Sequence, residues 1–260
     1  MKQARENQVN QSYSIKEKRM NTLQKFGGIS ALIEAATFVV GFALYFTVLA
    51  SANYGSLNMD PLKIDPVQNA AFLAENQGIM YAWHLIIYVV FGIFLVVLAQ
   101  ALHERLRADA PALAQTAAVF GYLWAGLVIA SGMVANVGAG VVAQVYARDP
   151  EQAGTIWLSL QFVVDGLGGG NEIVGGVWVF LLSLAALRSG ALPKLLNYLG
   201  LLIGSAGIIT MIPPLSEVGV IFGLGLIVWF VWLGIVMLNT GQNAKAFESD
   251  ALKSPYRTAL

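Results

Sequence analysis

The chain has 260 residues, 57% of them hydrophobic and 12% charged, against about 25% charged in a soluble domain. Its mean hydropathy is +0.66, which predicts an integral membrane protein with one membrane domain and short loops. Fifteen basic and fifteen acidic residues balance and cysteine is absent. That excludes a broad basic surface for nucleic acid and any disulfide, thiolate or cysteine–metal chemistry.

Residues 1–26 are polar and lack the short apolar core and small-residue cleavage site of a removed signal peptide. They are expected to form a cytoplasmic tail, with the first apolar segment serving as its own insertion signal. The basic stretch 12–25 could rest on anionic lipid or be a solvated, flexible tail. A bilayer core of about 30 Å needs roughly 20 helical residues. Apolar runs of that order predict spans at about 27–52, 79–102, 113–137 (continuing toward 146), 168–187, 195–213 and 216–238. Pro213-Pro214 separates the last two, since proline cannot continue a helix interior. Residues 240–260 form a second cytoplasmic tail. The expected fold is an all-α bundle of six transmembrane helices over 27–239, both termini in the cytoplasm.

The charge partition supports this count. Lys2, Arg5, Lys16, Lys18, Arg19, Lys25, Arg105, Arg107, Arg188, Lys194, Lys245, Lys253 and Arg257 fall on one side, and only Lys63 and Arg148 on the other. The positive-inside rule assigns the larger set to the cytoplasm. An odd number of spans would spoil that division.

The fourth span is unusual. Residues 173–187 give about 22 Å of helix, too little to cross, and the run G-L-G-G-G-N-E before them must supply the rest. Either one glycine-weakened helix covers about 156–187, or a short helix precedes a break. Each glycine costs about 1 kcal/mol relative to alanine in a helix, and Gly166, Gly168, Gly169 and Gly170 together favour the break. Asn171 would suit the N-cap of the second half.

Two stretches resemble a known family. The first is R-M-N-T-L-Q-K-F-G-G-I-S-A-L-I-E, a basic tail entering a glycine-rich span. The second runs V-W-V-F-L-L-S-L-A-A-L-R-S-G-A-L-P-K-L-L-N-Y-L-G-L-L-I-G, with its Arg188-to-Pro193 turn. Together they resemble the bacterial membrane family called domain of unknown function 4386, over residues 20–50 and 170–240. The resemblance implies a six-helix membrane domain and carries no catalytic residue over. Within the turn, Gly190 suits a helix C-terminus and Pro193 the first turn of the next helix.

Ionisable groups in membrane spans are costly unless paired or hydrated, and mark functional sites by default. Glu34 lies about 10 Å into the first span, too deep for its short side chain to reach water easily. It should face the interior and either pair or be protonated. His84 lies about 8 Å below the outer boundary of the second span; alone, it reads more naturally as an interfacial or packed residue. Asp165 and Glu172 flank the glycine run at a similar depth. If the helices face one another, His84, Asp165, Asn171 and Glu172 form one polar cluster near the outer leaflet. Such a cluster could exchange protons, or hold an ion, a small ligand or a lipid headgroup. It could equally be a hydrogen-bonded plug. A half-helix N-terminus favours anions, so Glu172 could also act as a capping charge. Glu217 follows the Pro-Pro turn and should reach water.

In the third span, Gly132, Asn136 and Gly140 share one face and Ala135, Ala139 and Ala143 another. This is a small-residue packing pattern, with Asn136 available for an interhelical hydrogen bond. Trp157, Trp178, Trp229 and Trp232 read as core or interface anchors. Two histidines are too few for a dihaem cytochrome or a three-His zinc hydrolase, and His103 falls in a predicted loop. No cofactor, metal or catalytic residue is expected. The sequence is consistent with a multi-pass protein of the bacterial inner (plasma) membrane, with the lipid bilayer as its one certain partner. Two functions stay open: small-molecule or ion transport or binding through the polar cluster, with Glu34 as an inner-half acid, and a non-catalytic membrane scaffold or accessory subunit. An intramembrane lipid-modifying enzyme lacks its ligand set. Oligomeric state is not readable from the sequence.

Overall fold

The computed structural model describes residues 2–50, 54, 64–169 and 172–253. Among them are nine α-helices and no strand. Helix α1 (Lys2–Leu44) passes into a π-helical segment, Tyr45–Leu49, and α2 (Pro66–Glu75) is short. Helix α3 (Gln77–His84), a second π-helical segment (Leu85–Val90) and α4 (Phe91–Leu106) follow without a gap. Next come α5 (Pro111–Tyr146), α6 (Pro150–Val164) and a third π-helical segment, Asp165–Gly169. The chain ends with α7 (Ile173–Ser189), α8 (Lys194–Ile209), a 3-10 turn (Pro213–Val218) and α9 (Gly219–Lys253).

Among the described residues, five stretches are long and apolar enough to cross a membrane: Met20–Leu49, Gln77–Leu106, Pro111–Tyr146, Pro150–Ser189 and Pro214–Asn239. This is the pattern of a multi-pass membrane protein. The outward surface agrees with it, for Val137, Leu195 and Leu202 are 72%, 67% and 66% exposed, an apolar coat that water would not tolerate over so large an area.

Local chemistry sets the helix ends. Asp65 accepts from the amides of Val67 and Gln68, and Asp149 from that of Gln152, so each caps a helix that begins with proline. Gly190 closes α7 in the left-handed region at φ 67°, a conformation glycine adopts without strain. Pro193 sits one residue before the first turn of α8, at its N-cap. Arg105 then ties this turn down, donating from Nη2 and Nε to the Ala191 carbonyl at 2.9 and 3.3 Å and from Nη1 to Gln24 Oε1 at 3.3 Å.

Two boundaries differ from expectation. The polar N-terminal residues do not form an irregular tail but continue α1 back to Lys2. They are rich in Gln, Glu, Lys and Arg and contain no glycine or proline between residues 2 and 26, so propensity favours helix even without an apolar face. The expected span at 195–213 is shorter, since α8 stops at Ile209, where the Thr210 hydroxyl donates to the Gly207 carbonyl at 2.6 Å.

The core is aromatic. Trp124, Trp178 and Trp229 form a chain with ring centroids 5.7 and 5.9 Å apart, flanked by Phe91, Phe222 and Phe230. Trp157 anchors a second, smaller cluster with Tyr54, Leu73 and Met80. Helices α1 and α9 pack antiparallel, Gly28 against Gly234 and Phe42 against Gly223. Helices α7 and α8 meet through backbone at Gly176 and Gly204: a Cβ on Gly204 would lie 2.7 Å from the Phe180 nitrogen.

The path from α6 to α7 is interrupted at Gly168, whose φ is 132° and ψ 10°. An L-residue is strained there, while Gly166 has an open surround and no unusual φ. Gly168→Ala is therefore expected to lower stability by about 1–2 kcal/mol through backbone strain. Gly166→Ala should be neutral or slightly stabilising. Thermal unfolding of the two variants in one detergent checks this; equal losses would place the constraint elsewhere.

Candidate functional site

A cavity of about 270 Å³ lies where α1, the segment following α3, α5, the end of α6 and the start of α7 come together. All three π-helical segments reach it, contributing Tyr45 and Leu49, Ile87 and Tyr88, and Asp165 and Gly168. A π turn carries one extra residue and rotates the side chains after it, which is why such segments often mark functional sites.

Three of the predicted polar residues line this cavity together: His84, Asp165 and Glu172. His84 is 6% exposed, and its Nδ1 is 3.2 Å from Asn136 Oδ1. An amide oxygen only accepts, so Nδ1 is the donor of this pair. The imidazole also lies beside Tyr88, with centroids 5.9 Å apart. The interhelical bond expected of Asn136 thus exists, and it holds His84 in place.

Asp165 begins the third π segment. Its neighbour Val164 has a carbonyl that accepts from the Ser131 hydroxyl at 3.1 Å, so α5 stabilises the backbone just before the break. Glu172 occupies the N-cap position of α7 but makes no side-chain capping bond. Its side chain forms part of the cavity wall. Asn171 lies outside the described residues.

Glu34 is not part of the cavity lining. It is 0% exposed, and neither carboxylate oxygen has a hydrogen-bond partner among the described residues. It sits three and four residues before Thr37 and Phe38, which do line the cavity, and so lies about one helical turn away along α1. Glu217 is exposed, as expected. His103 belongs to the last turn of α4, not to a loop.

Sequence reasoning missed several polar members of the wall. The Tyr54 hydroxyl accepts from Trp157 Nε1 at 3.1 Å, and burial pushes its pKa up to about 12, so it stays protonated. Trp83 has an indole nitrogen that is buried without a partner among the described residues. Thr37, Tyr45, Tyr88 and Gln161 are further polar residues of the wall. None of these is charged at neutral pH, so none carried the burial cost that singled out the acids. What the arrangement offers is an aromatic-walled chamber with two carboxylates, a fixed imidazole and several hydroxyl or N–H donors.

Among the described residues, no three His, Asp or Glu side chains converge as a metal-ligand set. Neither the curated proteins nor the solved structures contain a match to the chain. Residues 39–241 match the family described as Domain of unknown function (DUF4386), a wider stretch toward the middle of the chain than the two segments that carried the resemblance. With most of its length covered, the chain belongs to that family.

Proposed function

We propose that this protein binds a small molecule in the cavity beside the α6–α7 break and moves it across, or presents it within, a bacterial inner membrane. The observation that carries the reading is the convergence of three π-helical segments and the residues His84, Asp165 and Glu172 on one chamber. Broken helices with acidic residues at membrane depth recur in transporter sites. In this reading α8 is a sixth crossing and both termini lie in the cytoplasm, supported by the basic-residue partition. The cavity then belongs to the outer half of the bundle. Glu34 is a second acid, one turn further in from Thr37 and Phe38.

A scaffold role is the second reading. It is favoured by the His84–Asn136 and Ser131–Val164 bonds, which satisfy polar groups at the break within the protein itself.

Native mass spectrometry of the detergent-purified wild type and Glu172→Gln separates them. A retained small molecule, ion or lipid that the variant loses is the expected result. Nothing bound to either, with the variant less thermostable, would favour the scaffold.

A further inference from the structure

The polar groups of the cavity wall are largely occupied by the protein itself. The Thr37 hydroxyl donates to the Glu34 carbonyl, Tyr54 accepts from Trp157 and His84 Nδ1 donates to Asn136. Asp165 is engaged by its own surroundings. Glu172 stands at the N-terminal end of α7, where the helix favours negative charge. Trp83 is different. It lines the cavity, and its buried Nε1 has no partner among the described residues. A buried indole N–H usually finds one, and leaving it without costs stability. Trp178 and Trp229 share the lack. Their nitrogens, however, lie in the packed core, where a Cβ on Gly121 or Gly200 would fall 2.7 or 2.8 Å from them. Neither lines the cavity; Trp83 does, and there a ligand can meet it.

What this N–H lacks is an acceptor. An ammonium ion has no lone pair to offer, and a hydrocarbon has none either. A carboxylate or phosphate would accept, but the described lining brings Asp165 and Glu172 and no lysine or arginine to balance it. An uncharged oxygen acceptor, such as a carbonyl, meets the N–H without a charge to neutralise. The rest of the wall sets the body of the ligand. His84 lies between Trp83 and Tyr88, with ring centroids 5.4 and 5.9 Å away. Phe38, Phe42 and Tyr45 add rings from α1 and its π-helical continuation. Rings pack offset or edge-on against such surfaces. The volume of about 270 Å³ exceeds the roughly 150 Å³ that holds benzene in an apolar core, so a substituted ring has room.

Building on the small-molecule reading above, we infer that the cavity takes an uncharged, ring-bearing carbonyl compound, such as an aryl ketone or a quinone. Its carbonyl oxygen accepts from Trp83 Nε1, and its ring lies among the aromatic side chains.

The test uses the full chain in detergent and three probes of one shape: acetophenone, isopropylbenzene and 1-phenylethylammonium. Equilibrium dialysis against protein-free detergent should show acetophenone binding roughly tenfold tighter than either other probe. Trp83→Phe keeps a ring and removes the N–H, so it should bind acetophenone and isopropylbenzene alike. The comparison of probes on the wild type needs no variant, so a misfolded mutant leaves the test intact. If isopropylbenzene or the ammonium binds as tightly as acetophenone, the carbonyl assignment falls while the small-molecule reading stands. A ketone preference that persists in folded Trp83→Phe overturns the assignment in the same way. If no probe binds, the species retained in native mass spectrometry decides: an uncharged ring carbonyl supports the assignment, and any other overturns it. No binding by any probe, with nothing retained, overturns both readings and leaves an internal water as the partner of Trp83.

Discussion

Glu34→Leu is expected to raise the stability of the solubilised protein by about 1–3 kcal/mol, the usual penalty of a buried polar group left without partners. The side chain is wholly buried, both oxygens lack partners among the described residues, and Ala31 and Ala35 beside it belong to the apolar core. Leucine is close to glutamate in bulk and brings no polar atom. The one local bond, from the Thr37 hydroxyl to the Glu34 carbonyl at 2.8 Å, involves backbone and survives the change. Glu34→Gln should gain little, since an amide brings its own unsatisfied atoms. Unfolding midpoints of the three proteins in one detergent decide the matter. A leucine variant less stable than wild type would mean the carboxyl is satisfied by an internal water. A variant that is more stable yet no longer retains the species bound by wild type would show that the acid is kept for function at the expense of stability.

Gly204→Val is expected to have the largest effect in the opposite direction, a loss of about 3 kcal/mol or more, at or beyond the upper end of ordinary overpacking. Helices α7 and α8 touch there through main chain. A Cβ at Gly204 would fall 2.7 Å from the Phe180 nitrogen and 2.8 Å from the Gly176 oxygen. From the other side, a Cβ at Gly176 would fall 2.7 Å from the Ile208 nitrogen. Backbone atoms cannot rotate aside as a side chain can, so the helices must part. Gly126→Val is the control: its Cβ would meet nothing within 4 Å, and valine has somewhat better helix propensity than glycine. Folded yield and thermal unfolding of the pair check the prediction, and comparable behaviour would mean that the α7–α8 contact is not needed.

Much of this architecture is written in local chemistry. The long apolar runs, the Pro213-Pro214 turn, the Gly190 terminus and the break among the glycines each follow from what a residue can or cannot do on its own. Sequence also yields depth, because counting residues along a helix measures distance along its axis. It does not yield the direction a side chain takes around that axis. His84 and Glu172 could be placed at one level, but whether they face one cavity depends on helix rotation. The π segments add to that rotation without any signature in composition. The His84–Asn136 bond joins residues 52 positions apart, and a small-residue stripe that marks Asn136 as a hydrogen-bonding residue does not name its partner. Tyr54, Trp83 and Tyr88 were invisible for another reason: an uncharged aromatic in an apolar chain is unremarkable until its neighbours are known. Conversely, the helical course of residues 2–26 is a matter of propensity, which periodicity does not register.

The brevity of α8 bears on how the protein enters its membrane. Sixteen residues make about 24 Å of helix, short of a hydrocarbon layer of about 30 Å. Emerging from the ribosome by itself, this segment would be a weak candidate for partition into lipid. It is, however, fitted backbone to backbone against α7, which is synthesised just before it. In the six-span reading these two helices would enter the bilayer together as one hairpin, and the glycines that let them touch would then serve insertion as well as the finished fold.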